Sequence, residues 1–230
     1  MARLLVHVEG ETEETFVNEV LRPHLLQRGY TNVGARIVGN ARQRDRRGGI
    51  KPWPAVRGDI IKHLKGDPGC LSTTMVDYYG LPRSGAPAWP GRGAASGLGF
   101  PEKAVTVESA LLEDIRKETG DQSVADRFVP FVVMHEFEGL LFSDCQLFGR
   151  GISRMDLVPQ LQAIRDQFDT PERIDDSPIT APSKRVESIV PGYQKPFHGN
   201  LAAIEIGLVV MRGQCPHFAS WLARLEHLAA

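Results

Sequence analysis

Five carboxylates stand where apolar runs stop. Glu9 follows the run 4–8, with Glu13 one helical turn further on; Asp77 follows 71–76; Glu136 and Glu138 follow 128–134, with His135 beside them. The runs read as buried strands. In an open parallel sheet, ligands sit at the carboxyl ends of the strands, in the crevice where strand order reverses. Acidic side chains remote in sequence would then meet at one rim. There they repel one another and cannot all stay ionised without a counter-charge. A hard dication is the simplest remedy: Mg²⁺ or Mn²⁺ takes a few carboxylate oxygens and keeps waters and open positions for phosphate oxygens. With no cysteine and only His135 nearby, the set disfavours zinc. One or two such ions would activate a water against a phosphodiester. The expected ligands are Glu9, Glu13, Asp77, Glu136 and Glu138. Each also has a plain structural reading: Glu9, Glu13 and Glu14 suit the positive end of the following helix, and Asp77 can close a turn. Recurrence at three strand ends is what favours a site.

Such chemistry also needs cations on the phosphate. Lys184 and Arg185, in the first turn of a helix capped by Ser183, oppose the helix dipole unless an anion docks there. Lys195 and His198 lie in a Gly/Pro-punctuated loop and suit a phosphate clamp or proton shuttle. Arg42, Arg44, Arg46 and Arg47, with Lys51 and against only Asp45, give a local excess of four positive charges that suits a nucleic-acid backbone. Trp53 and Trp89 are candidate base-stacking residues; each basic residue reads equally well as solvated surface. His7 alternates with apolar residues and reads as a satisfied interior group, while His24, His63, His217 and His227 offer no pairing. Phe218 and Trp221, at helical spacing, read as core.

The elements that must position these residues alternate. Strands are expected at 4–8, 33–38, 71–76 and 128–134, and helices at 12–25, 55–65 and 105–119. Pro23 should kink or stop the first helix near Leu21. Alternation argues for an α/β fold, a mostly parallel four-stranded sheet with helices on both faces. After Glu138 the pattern turns helical (157–168, 183–190, 201–211, 216–228). The expected division is an α/β core over 1–150 and a helical extension over 151–230 packed on it. Residues 81–100, with five glycines and three prolines, read as a flexible loop or lid.

The chain has 230 residues, 42% hydrophobic and 24% charged, with a formal charge of −1. That excludes a disordered or fibrous protein and makes any nucleic-acid surface a local patch. Three separated cysteines suggest a reducing compartment. No apolar stretch reaches the ~18–20 residues of a membrane span, and no signal-peptide pattern opens the chain. A cytoplasmic protein is expected, with no membrane partner. No G-x-x-x-x-G-K-[ST] is present, so nucleotide hydrolysis would have to come from elsewhere.

The segment Val8-Glu9-Gly10-Glu11-Thr12-Glu13 resembles the first motif of the Toprim fold of primases, topoisomerases and overcoming-lysogenization-defect (OLD) nucleases. Asp77-Tyr78-Tyr79-Gly80 matches the position of that fold's D-x-D pair, but Tyr79 stands where the second aspartate would be. His135-Glu136-Phe137-Glu138 looks like a replacement source of carboxylate. Over nearly the full length the chain resembles an uncharacterised bacterial family with a Toprim-like core, through VEGETEETF at 8–16, MVDYYGLP at 75–82, HEFEGLLFSD at 135–144, APSKR at 181–185, YQKPFHG at 193–199 and CPHFASWL at 215–222. The resemblance implies a Toprim-like (Rossmann-like) core, magnesium and nuclease-type chemistry on DNA or RNA. It also implies Glu9 and Asp77 at the metal, a lysine beside it (Lys184 or Lys195), and an ATPase partner in phage defence. The expected function is a metal-dependent nuclease with Glu9, Asp77, Glu136, Lys184 and Lys195 as catalytic residues. The alternatives are a non-catalytic metal-binding module that recognises a phosphorylated ligand or partner, and phosphoryl transfer at the same site.

Overall fold

The computed structural model describes residues 2–38, 50–174, 177 and 179–229. Strand β1 (Arg3–Val8) lies between β2 (Asn32–Ile37) and β3 (Cys70–Asp77), parallel to both. The last strand is in two pieces, β4 (Phe128–Val129) and β5 (Val132–Val133), both parallel to β3. Pro130 between them has no N–H to give the ladder, which is why the expected run 128–134 divides. Threonines of β3 bridge the gap: Thr74 Oγ1 donates to the Phe131 carbonyl at 2.8 Å and accepts from its N–H at 2.9 Å. Every residue of β3 is buried, as a central strand covered on both faces must be. The sheet order is β2-β1-β3-β4, so strand order reverses between β1 and β3.

Helices α1 (Glu11–Phe16) and α2 (Arg22–Gln27) are joined by a π turn over Val17–Leu21. The wider turn absorbs the missing donor of Pro23, so the chain stays helical to Gln27 where a stop near Leu21 was expected. One face of the sheet packs on these helices and on α10 (Asn200–Gln214) and α11 (Pro216–Ala229): Leu4, Val6, Val8 and Met75 share a buried cluster with Phe16, Ala203, Phe218 and Leu222. The other face carries α3 (Trp53–Gly66) and α4 (Glu102–Thr119). The architecture is thus the expected Rossmann-like, Toprim-like α/β arrangement, with a helical C-terminal region.

Residues 81–100 form turns without a helix or strand, anchored to the core through the buried Leu81, Trp89, Arg92 and Ala95. The Arg92 guanidinium lies 3.7 Å from the centre of the Tyr78 ring and its Nε donates to the Tyr78 carbonyl at 3.0 Å. Gly91, at φ +75°, touches α4 so closely that a Cβ would lie 2.6 Å from the Thr106 carbonyl. Trp89 and Trp53 are buried against each other, ring centres 4.9 Å apart, with indole N–H groups on the Lys51 carbonyl and the Asp114 carboxylate. Both are core residues, which removes them as base-stacking candidates. His7 is buried as expected, but neither ring nitrogen has a hydrogen-bond partner, and burial pushes its pKa down to about 3. His24 and His217, for which the sequence offered no partner, pair with Glu226 and Glu108 at 2.6 and 2.9 Å.

Candidate functional site

The strand ends deliver their carboxylates to one rim at the reversal point. Val8 pairs with Met75, so Glu9 leaves β1 just before β3 reaches Asp77, and Asp77 is in register with Val133 of β5. Beyond β5, Glu136 caps the short helix α6 (Phe137–Leu141) and Glu138 lies in its first turn, α5 being the single turn Gln122–Ala125 ahead of β4. The Phe137 N–H donates to Asp77 Oδ1 at 2.8 Å and ties the two strand ends together. Glu13, on α1, accepts from the Gly10 N–H at 2.9 Å. That contact makes Gly10, not Thr12, the helix cap. Lys195, in a π turn over Lys195–Gly199, brings its ammonium 2.9 Å from Glu138 and 3.7 Å from Asp77.

Charge shows how tightly these groups are gathered. Burial, then the negative charge of Glu13, pushes the Glu9 carboxyl up to about 7, against the pull of Lys195. Burial likewise raises Glu13, Asp77 and Glu138, with Lys195 opposing the rise in each. Lys195 is raised in turn: burial works against its charge, but Glu138, Asp77 and Glu136 outweigh it. Glu9, Glu13, Asp77, Glu136, Glu138 and Lys195 are therefore one electrostatic unit. Glu138 is fully buried, and its Oε1 has no hydrogen bond; neither has Glu9 Oε2. Gly80 makes room for Glu9: a Cβ there would stand 2.7 Å from Glu9 Oε2.

Other expected site residues fare differently. Of the two candidate lysines, Lys195 joins the rim, while Lys184 pairs with Glu187 at 2.6 Å on the surface of helix α9 (Pro182–Ile189), which follows α7 (Cys145–Gly151) and α8 (Val158–Arg165). Arg185 turns its Nε to the Thr180 carbonyl, 2.9 Å away, and its guanidinium lies over the Phe168 ring. Ala181, not Ser183, caps α9, and the anion at this helix end is internal: the Ser183 N–H donates to Glu136 Oε2 at 2.9 Å. His198 stacks on Tyr193, and its Nδ1 accepts from the Gln194 N–H at 2.9 Å. Arg42, Arg44, Arg46 and Arg47 lie outside the described residues. Sequence reasoning missed Tyr193, whose buried hydroxyl has no partner and whose pKa is raised by burial and by Glu138. It lies within the 193–199 signature, but nothing in its spacing marks it.

Over residues 8–226 the chain matches the family model described as a domain of unknown function, DUF4276. The chain belongs to the DUF4276 family. No curated protein matches it. Among solved structures, this DUF4276 chain is similar to the C-terminal region of the Xanthomonas campestris pv. campestris OLD protein, at 17% identity and a TM-score of 0.39, over 99% of this chain and 98% of that one.

A hard dication fits the chemistry of the donor set: all five acids offer oxygen, and two buried oxygens are without a donor. As placed, no three His, Cys, Asp or Glu side chains among the described residues converge on a common ion position. The Lys195 ammonium stands between Asp77 and Glu138 and supplies part of the counter-charge.

Proposed function

We propose that the rim holds one or two Mg²⁺ or Mn²⁺ ions and that the protein is a metal-dependent nuclease acting on DNA or RNA. The observation that carries this reading is the gathering of Glu9, Asp77 and Glu138, from three strand ends, at one rim, with the Lys195 ammonium against Asp77 and Glu138. Glu9, Asp77 and Glu138 would hold the ion, with Glu13 and Glu136 assisting. When bound, the metal would lower the pKa of a water and offset charge on the attacked phosphate. Lys195, half-exposed at the rim, would meet the non-bridging phosphate oxygens, and Gly80 keeps the floor open for Glu9. His198, Lys184, Arg185 and the arginines of 42–47 are proposed as outlying phosphate contacts. Phage defence with an ATPase partner belongs to the same proposal.

The test is cleavage of labelled single- and double-stranded DNA and RNA by the full chain in Mn²⁺. Wild type should cut, and Glu9→Gln or Asp77→Asn should cut at least about a hundredfold more slowly with unchanged circular dichroism. Retained metal-dependent cleavage in Glu9→Gln overturns the assignment. A second reading, a non-catalytic module that binds a phosphorylated ligand through one ion, is favoured by Tyr79 at the second acidic position, where its ring stacks on His135. Mn²⁺ binding and nucleic-acid retention with no product from wild type would select it, and labelled product joined to an acceptor would mark phosphoryl transfer.

A further inference from the structure

A second concavity shares no residue with the acidic rim. It is a cleft of about 720 Å³ between the start of α4, the β4–β5 break and α11, a volume in the range of small-molecule sites. Its walls are apolar: Phe100, Val105, Pro130 and Trp221 line it, and Val105 is 53% exposed, an apolar side chain left open to solvent there. Behind them runs a rigid aromatic stack. The Trp221 ring lies 4.3 Å from Phe131 at an interplanar angle of 11°, and Phe131 lies 5.1 Å from His217 at 29°.

The polar groups of the cleft are unequally spent. Glu108 Oε1 accepts from both the Val132 N–H and His217 Nε2, each at 2.9 Å, so this oxygen is committed. Both oxygens of Glu172 are taken by the His217 and Phe218 N–H groups, so the first turn of α11 is already capped from within. Two arginines remain at the mouth. Arg173 lies over the Phe100 ring at 5.7 Å and, among the described residues, pairs with Asp169 at 4.0 Å, an aspartate that is 90% exposed. Arg224 has no ion pair or hydrogen bond among the described residues. Two arginines against the one exposed aspartate leave this apolar cleft with an excess of positive charge. We propose that the cleft is a second ligand site, taking an amphipathic organic anion whose apolar, ring-bearing body lies along Phe100, Val105 and Trp221 and whose carboxylate or phosphate meets Arg173 and Arg224. Both arginines reach such a group as planar forks.

The probe is 1-anilinonaphthalene-8-sulfonate, an aromatic anion whose fluorescence rises in an apolar site, titrated into the full chain. One saturable site is expected. Arg224→Glu and Arg173→Glu should each weaken it about tenfold or more, and Ser220→Trp, which adds an indole to the cleft lining, should abolish it. The uncharged analogue N-phenyl-1-naphthylamine should bind about tenfold more weakly than the sulfonate. Thermal unfolding of each variant reports that the fold is kept, and Glu9→Gln should bind the probe as wild type does. Probe binding that ignores all three cleft substitutions, or no saturable binding to wild type, overturns the proposal.

Discussion

Replacing Lys195 by methionine keeps the aliphatic stem and removes the ammonium that stands against Glu138 and Asp77. Breaking a buried ion pair from one side costs about 3–5 kcal/mol, because the remaining charge is stranded. Glu138 is fully buried, but the Lys195 side chain is 37% exposed, so water already screens part of the attraction. Discounted for that screening, the loss should be about 1–3 kcal/mol at pH 8, or a fall of roughly 3–10 °C in Tm for a chain of this size. A dication that binds between the same carboxylates takes over the role of the ammonium. Mn²⁺ at about a hundred times its Kd stabilises by about 2.7 kcal/mol, and that increment should be larger in Lys195→Met than in wild type, since no ammonium competes. Thermal unfolding by circular dichroism, with and without MnCl₂, measures both quantities. The reasoning fails if the variant is as stable as wild type at pH 8, or if Mn²⁺ raises its Tm by less than it raises that of wild type.

Gly80→Ala places a Cβ 2.7 Å from Glu9 Oε2 and should turn that carboxylate away, lowering Mn²⁺ affinity by about 10–100-fold in calorimetry without loss of helical signal. The Glu9 carboxyl sits at about 7 in the folded chain, against an ordinary 4.5. Between those values the folded chain binds more protons than the unfolded one, so its contribution to metal-free stability falls as pH rises through this window and levels off above it. Mn²⁺ affinity should run the other way, because the ligand must lose its proton; urea midpoints and calorimetry between about pH 5 and pH 8 give both slopes. Glu172→Ala strands the His217 and Phe218 N–H groups that open α11 and should cost about 2–4 kcal/mol in urea unfolding, whereas Glu172→Gln, which keeps an acceptor, should cost less.

The strands and their acidic ends were legible in the sequence because a parallel sheet turns a local cue, an apolar run that stops at a carboxylate, into a shared position at the rim. Glu9, Asp77, Glu136 and Glu138 could be placed at that rim by this rule without knowledge of any contact, with Glu136 rather than Glu138 expected in the leading role. What joins elements across the chain left no such cue. Nothing near Lys195 announces Glu138, 57 residues earlier, and nothing near Ser183 announces that its N–H will hold Glu136. The same holds for His217 with Glu108 and for the burial of Trp53 on Trp89. Pro23 misled for the opposite reason: its local signal to stop a helix is strong, but a π turn satisfies the backbone at less cost than unwinding a segment whose Val17, Leu21 and Leu25 are buried in the core.

Tyr79 is the point at which this rim departs most from a pair of acids in one turn, and its contacts fasten that turn to the next strand end. The Tyr79 N–H donates to the His135 carbonyl at 3.3 Å, its ring stacks on His135, and the Phe137 N–H reaches Asp77. The turn after β3 is thereby fastened to the turn after β5, and the second carboxylate beside Asp77 is Glu138, contributed by the neighbouring strand end rather than by the same turn. The fastening also orients the acids. Glu13, Asp77 and Glu136 each have one oxygen held by a backbone N–H, from Gly10, Phe137 and Ser183. A carboxylate gripped through one oxygen has lost most of its rotational freedom and offers the other in a fixed direction, which is how metal-binding carboxylates are held from behind. A rim built only for stability would gain more from apolar residues of similar volume than from five acids sharing one ammonium. Five acids gathered there, three of them braced by the backbone, therefore support the proposed site for a multiply charged cation.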